Sequence, residues 1–135
     1  MPHALLVEDE LTFRRIVTLN LVRKGYSVAE ADTVEMAFDM LLAAREAGLS
    51  FDVIVLETHL RERPGWDLLR MARVYDATSG ERALAAIPVI VISPLPVAAG
   101  WLSDYAPCAA LVKPFPIGAL LDRITAARRQ ASVPA

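Results

Sequence analysis

Four short aliphatic runs, residues 4–7, 53–56, 89–92 and 109–112, constrain this chain more than any other feature. None of them alternates apolar with polar residues. A strand with one wet face shows that alternation, so these runs read as strands of a parallel sheet covered on both faces. A fifth run, residues 26–30, is mixed in polarity, as an edge strand is.

Helical periodicity fills the intervals. Residues 10–24 place Phe13, Ile16, Val17 and Leu21 on one side and stop at Gly25. Residues 34–47 bring Met36, Met40, Leu41 and Ala44 together, with Thr33 as N-cap and Gly48 past the end. Residues 65–76 carry Leu68, Met71, Ala72 and Tyr75, and residues 116–130 open on Pro116 and turn Ile117, Leu120, Leu121 and Ile124 inward. Pro94, Pro96 and Pro107 crowd the segment after the fourth strand, so a helix there is short or distorted. Strand–helix alternation with such connections gives right-handed crossovers and a parallel sheet. The expected fold is α/β: a flavodoxin-like (βα)5 three-layer sandwich with a parallel five-stranded sheet in the order 2-1-3-4-5. Residues 1–130 form one domain, and residues 131–135 read as a disordered tail.

Composition narrows the classes. Apolar residues make up 55% of the 135, enough for a sizeable core. The formal net charge is -2 and no basic stripe marks a nucleic-acid surface. Cys108 is alone, so no disulfide framework exists within the chain and a cytoplasmic, reducing setting is expected. The opening residues lack the basic region of a signal peptide. The longest apolar stretch, residues 83–102, is interrupted by Pro88, Pro94 and Pro96, so it reads as a buried strand with flanks and not as a membrane span.

Sites in open α/β sheets lie at the carboxyl ends of the strands. Glu8, Asp9 and Glu10 follow the first strand, Glu57, Thr58 and His59 the third, Ser93 the fourth, and Lys113, Pro114 and Phe115 the fifth. Acids from two neighbouring strands would meet one hydroxyl and one lysine at a single rim. Clustered carboxylates repel unless a cation joins them, and hard divalent ions such as Mg²⁺ prefer such oxygens.

At this point the chain resembles the receiver domain of two-component response regulators, over about residues 3–128. The carriers are Glu8-Asp9, the run Phe51-Asp52-Val53-Ile54-Val55-Leu56, Gly65, Ser93 and Lys113-Pro114-Phe115. The resemblance implies a bacterial, cytoplasmic signalling module in phosphorelay signal transduction, not an enzyme. It implies Mg²⁺ held by Glu8, Asp9, the acid at position 57 and the backbone carbonyl of His59. Ser93 would be the switch hydroxyl, Lys113 the phosphoryl-contacting lysine, and the Lys113–Pro114 bond cis. Implied partners are a histidine kinase or an output protein, and a homodimer through the face made by the fourth helix, fifth strand and fifth helix.

Departures from the family pattern then bear on function. Glu57 stands where the family has its phosphoacceptor aspartate, and its extra methylene adds roughly 1.5 Å of reach, about one bond length. An error near 1 Å in placing a nucleophile can cost about a hundredfold, so little or no phosphorylation is expected. Ala110 stands where the family has a switch aromatic, and Arg61 where a proline is common. The leading expectation is a pseudo-receiver that signals by phosphorylation-independent protein–protein interaction.

Plainer readings stand beside these. Glu8 and Asp9 would favour a helix N-terminus in any case. Lys113 would neutralise the pocket by pairing with Glu57, and Glu57 would crowd a Mg²⁺ ion, leaving its occupancy open. Asp52 precedes its strand and belongs at the opposite rim. Trp101 and Tyr105, four residues apart, share a helical face and read as core, with an exposed aromatic patch as the lesser reading. A phosphorylatable Mg²⁺-dependent receiver is the first alternative. A nucleotide- or flavin-binding protein on the same fold is the second, opposed by a glycine-free acidic turn after the first strand.

Overall fold

The computed structural model describes residues 1–80 and 84–132. Strands and helices alternate: β1 (His3–Val7), α1 (Leu11–Arg23), β2 (Ser27–Ala31), α2 (Val34–Glu46), β3 (Val53–Glu57), α3 (Trp66–Ser79), β4 (Val89–Ser93), α4 (Ala99–Tyr105), β5 (Ala109–Val112) and α5 (Ile117–Ser132). The sheet has the order β2-β1-β3-β4-β5 with every pair parallel, so the mixed-polarity strand does lie at an edge.

The absence of alternation in the central strands follows from burial on both faces. Leu5, Val7, Ile54 and Leu56 pack with Val34, Ala37 and Leu41 of α2 and Leu68 and Ala72 of α3. Their sequence neighbours Ala4, Leu6, Val53 and Val55 point the other way, with Ile90 and Ile92, onto α1 and α5. Each parity finds an apolar layer, and the sheet has no wet side at its centre.

Two inward assignments made from the helical pattern do not hold. Ile16 is 48% exposed and Met36 is 42% exposed. In α1 the buried line is Val17 and Leu21, spaced by one turn, which leaves Ile16 on the arc facing water. In α2 it is Val34, Ala37 and Leu41, and Met36 falls off that stripe.

Strand β5 also departs from the expected two-sided burial. Ala109 and Leu111 pack on the α1/α5 layer, while Ala110 and Val112 are exposed. The cause lies in α4, which is seven residues long and buries none of them. Trp101 and Tyr105 are therefore not core residues. Their rings stack on the buried Trp66 of α3, and the Arg73 side chain donates to the Asp104 carbonyl. The short helix agrees with the prolines around it.

Helix ends follow local chemistry. Chain reversal after α1 uses Gly25 at φ 92°, a conformation that costs glycine nothing. Thr33 caps α2 by accepting from the Met36 N–H at 3.1 Å. Replacing Thr33 with alanine is expected to cost about 1 kcal/mol in chemical denaturation without altering the fold. Helix α5 runs through Ser132, so residues 131 and 132 of the expected tail are helical, and residues 133–135 lie outside the described residues. None of the described helices is long and apolar enough to cross a membrane.

Candidate functional site

Register places the acids. Val7 pairs with Leu56 across β1 and β3, so the next residues, Glu8 and Glu57, leave the sheet side by side. Both are buried, at 1% and 3% exposure. Two buried carboxylates side by side repel strongly unless a cation joins them. Lys113, which follows β5, supplies it. Its Nζ lies 2.5 Å from Glu8 Oε1 and 2.8 Å from Glu57 Oε1. The same ammonium sits 4.2 Å from the centre of the Phe13 ring, whose edge meets Phe115.

The remaining carboxylate oxygens are also engaged. Glu57 Oε2 accepts from the His59 N–H at 3.1 Å, and Glu8 Oε2 accepts from the Asp9 N–H at 3.0 Å. Arg14 donates to the Glu8 carbonyl at 2.9 Å and to Glu30 at 3.1 Å, tying α1 to the end of β1. Burial raises the pKa of Glu8 above its ordinary value; the hydrogen bond and charge of Lys113 pull it down, and the charge of Glu57 pushes it up. Burial alone would lower the pKa of Lys113, but hydrogen bonds to Glu57 and Glu8 outweigh it and the pKa is raised. The lysine is therefore an ammonium at neutral pH.

Glu8, Glu57 and Lys113 are thus brought together by their side chains, whereas Asp9, His59 and Ser93 meet them only through backbone groups: the Asp9 and His59 N–H groups donate to the two carboxylates, and the Ser93 carbonyl accepts from the Lys113 N–H at 2.8 Å. Asp9 turns its Oδ2 to the Arg61 N–H at 2.7 Å. The Ser93 hydroxyl donates to the Leu95 carbonyl at 2.6 Å and accepts from the Leu95 N–H at 3.2 Å, a local turn. His59 directs Nδ1 to Thr58 Oγ1 at 2.8 Å. Ala110 is exposed on β5, and the Lys113–Pro114 bond is cis. Asp52 lies at the far rim, accepting from the His3 N–H at 2.7 Å. Among the described residues, no three His, Cys, Asp or Glu side chains converge as a metal-ligand group.

The turn from β3 to α3 depends on Gly65. Its N–H donates to the Thr58 carbonyl at 2.9 Å, and a Cβ there would lie 1.9 Å from the Glu57 carbonyl oxygen. Phe13, Arg14 and Trp66 were missed as contributors to the site and its surroundings. Phe13 carried only its place on a helical stripe, and the reach of Arg14 depends on the approach of α1 to β1.

A parallel sheet of this order, with acids after β1 and β3, a hydroxyl after β4 and a lysine after β5, is the arrangement of the flavodoxin-like fold of CheY. No family model matches the chain. The uncharacterized transcriptional regulatory protein YkoG of Bacillus subtilis is 35% identical over 130 residues, covering 95% of this chain and 51% of that protein. The transcriptional regulatory protein CusR of Escherichia coli is 31% identical over 132 residues, covering 96% and 52%. The chain thus spans about half the length of the curated relatives it matches. The receiver domain of Francisella response regulator 1452 superposes with a TM-score of 0.77 at 19% identity, covering 98% of this chain and all of that one. The chain thus has the fold of response-regulator receiver domains and is similar in sequence to one half of these two regulators.

Proposed function

We propose that this receiver is a signalling module that works by phosphorylation-independent protein–protein interaction, with Glu57 in the place of the phosphoacceptor aspartate. The observation that carries the reading is the engagement of both Glu57 oxygens, one by the Lys113 ammonium and one by the His59 N–H. A carboxylate so held is poorly placed for in-line attack on a phosphodonor. Glutamate also reaches further than aspartate from the same backbone position.

Mg²⁺ does not fit the donors as they stand. Lys113 occupies the position between Glu8 and Glu57, and Asp9 is turned to the Arg61 N–H. The oxygens are of the hard type that Mg²⁺ prefers, so entry of the ion requires Lys113 to withdraw. In this reading the lysine itself bridges the two acids and offsets part of their charge. Ser93, the expected switch hydroxyl, is committed to Leu95, and Ala110 offers no aromatic ring to report on it.

The domain then acts in the cytoplasm as a binding partner of a signalling protein, such as a histidine kinase or an output protein, and not as an enzyme. The exposed Trp101, Leu102, Ala110 and Val112 on α4 and β5 support contact through that face, including a homodimer.

Intact mass after incubation with Mg²⁺ and acetyl phosphate tests the reading. The natural protein is expected to keep its mass, and a Glu57→Asp variant to gain one phosphoryl group if the rest of the pocket is competent. A stable gain of one phosphoryl group at Glu57 in the natural protein overturns the proposal.

A further inference from the structure

Beside the acidic site, on its α4 side, the turn of residues 58–64 and the aromatic residues Trp66 and Trp101 enclose a cleft of about 480 Å³. That volume falls in the range of small-molecule sites, about 300–1,000 Å³. We infer that this cleft binds a small aromatic monocarboxylate, its ring laid on Trp101 and its carboxylate on the Arg61 guanidinium.

The aromatic wall is built and incomplete. Trp66, 5% exposed, stacks nearly parallel on Trp101 at 5.5 Å and on Tyr105 at 5.4 Å. The Tyr105 ring carries the Arg73 guanidinium, 4.5 Å from its centre. Among the described residues no cation caps Trp101, which stays 44% exposed and lines the cleft. A planar ring placed there extends the stack in the offset geometry that aromatic groups prefer.

Charge selects the rest of the ligand. Arg63 lines the cleft but is consumed by Glu35 and Asp67, at 2.5 and 2.8 Å. Arg61 also lines it, and among the described residues its guanidinium has no partner, since only its backbone N–H is used, by Asp9. A free guanidinium matches a carboxylate with two parallel hydrogen bonds. Glu62 stands on the same rim, so a dianion would meet repulsion where a monoanion does not. On His59, Nδ1 is taken by Thr58, which leaves Nε2 as the remaining polar atom of the ring.

This inference stands on the cleft and is independent of whether Glu57 accepts a phosphoryl group. The test is isothermal titration of the whole domain with 2-naphthoate, followed by naphthalene-2-carboxamide, cyclohexanecarboxylate and 2-naphthyl phosphate. Saturable binding of 2-naphthoate with a Kd of about 1 mM or tighter is expected. Loss of the charge, of the planar ring, of Trp101 (Trp101→Ala) or of the guanidinium (Arg61→Gln) is each expected to weaken it by about tenfold or more. Arg61→Gln removes no buried packing, so it tests the site even where Trp101→Ala disturbs α4. Absence of saturable binding, binding that Arg61→Gln leaves unchanged, or a preference for the phosphate overturns the inference.

Discussion

Replacing Lys113 with alanine is expected to destabilise the domain by about 3 kcal/mol at neutral pH, because it strands two buried carboxylates without their cation. Glu8 and Glu57 would keep their burial and their mutual repulsion while losing contacts of 2.5 and 2.8 Å. The loss is larger than that of an exposed ion pair, which is worth about 0–1 kcal/mol. Chemical denaturation of the natural protein and the variant at matched pH measures it.

The pH dependence carries a definite sign. The pKa of Glu8 is raised in the folded state, so the native protein binds more protons than the unfolded chain in that window. That group's favourable contribution is full below its ordinary value of 4.5 and is lost as pH rises through the raised folded value. Removing Lys113 takes away the influence that lowers it, so the folded pKa climbs further. The stability gap between the natural protein and Lys113→Ala should therefore narrow as pH falls from 7 towards 5. Lys113 behaves with the same sign in the alkaline range: its raised pKa means that its contribution is full below its ordinary 10.5 and fades only as pH rises through the higher folded value.

Gly65→Ala is expected to be similarly damaging, by about 3 kcal/mol or more, for a steric reason. The new Cβ would lie 1.9 Å from the Glu57 carbonyl oxygen and 2.9 Å from its carbon. Those atoms belong to β3, held in register by β1 and β4, and do not yield as a flexible side chain does. The start of α3 must move instead, straining the Gly65 N–H bond to Thr58 and displacing Trp66. Gly118→Ala is the control: nothing lies within 4 Å of a Cβ there, and in a helix alanine is favoured over glycine by roughly 0.5–1 kcal/mol. Equal denaturation midpoints for natural protein and Gly65→Ala would contradict the account of this turn.

Much of this architecture was legible in the sequence because burial imposes a pattern. The unbroken aliphatic runs of β1, β3 and β4 reveal a sheet covered on both sides, and the mixed run of β2 reveals an edge. Helix faces were legible only to within a residue, as Ile16 and Met36 show, because 3.6-residue periodicity tolerates a neighbouring apolar position. Strand β5 was misread as doubly covered, since its composition matches the central strands while the helix that would cover it is two turns long.

The site was legible as a list and less so as a geometry. Strand ends identify Glu8, Glu57, Ser93 and Lys113 as rim residues. Which oxygen meets which proton depends on rotamers and loop closure that spacing does not encode. Lys113 reaches both acids, while Asp9 turns away to Arg61 and Ser93 to Leu95. The aromatic tile of Trp66, Trp101 and Tyr105 joins two helices far apart in the chain, and only the Trp101–Tyr105 spacing gave any sign of it.

The central claim is that the pocket's two acids are bridged by its own lysine and that it does not respond to Mg²⁺ or a phosphodonor. The most direct measurement is the amide ¹H–¹⁵N spectrum of the labelled domain before and after addition of millimolar Mg²⁺, then acetyl phosphate. The account predicts that the resonances of Glu8, Asp9, Glu57, His59 and Lys113 stay in place through both additions. Saturable shifts of that set with Mg²⁺, followed by a second change on adding the phosphodonor, would contradict it.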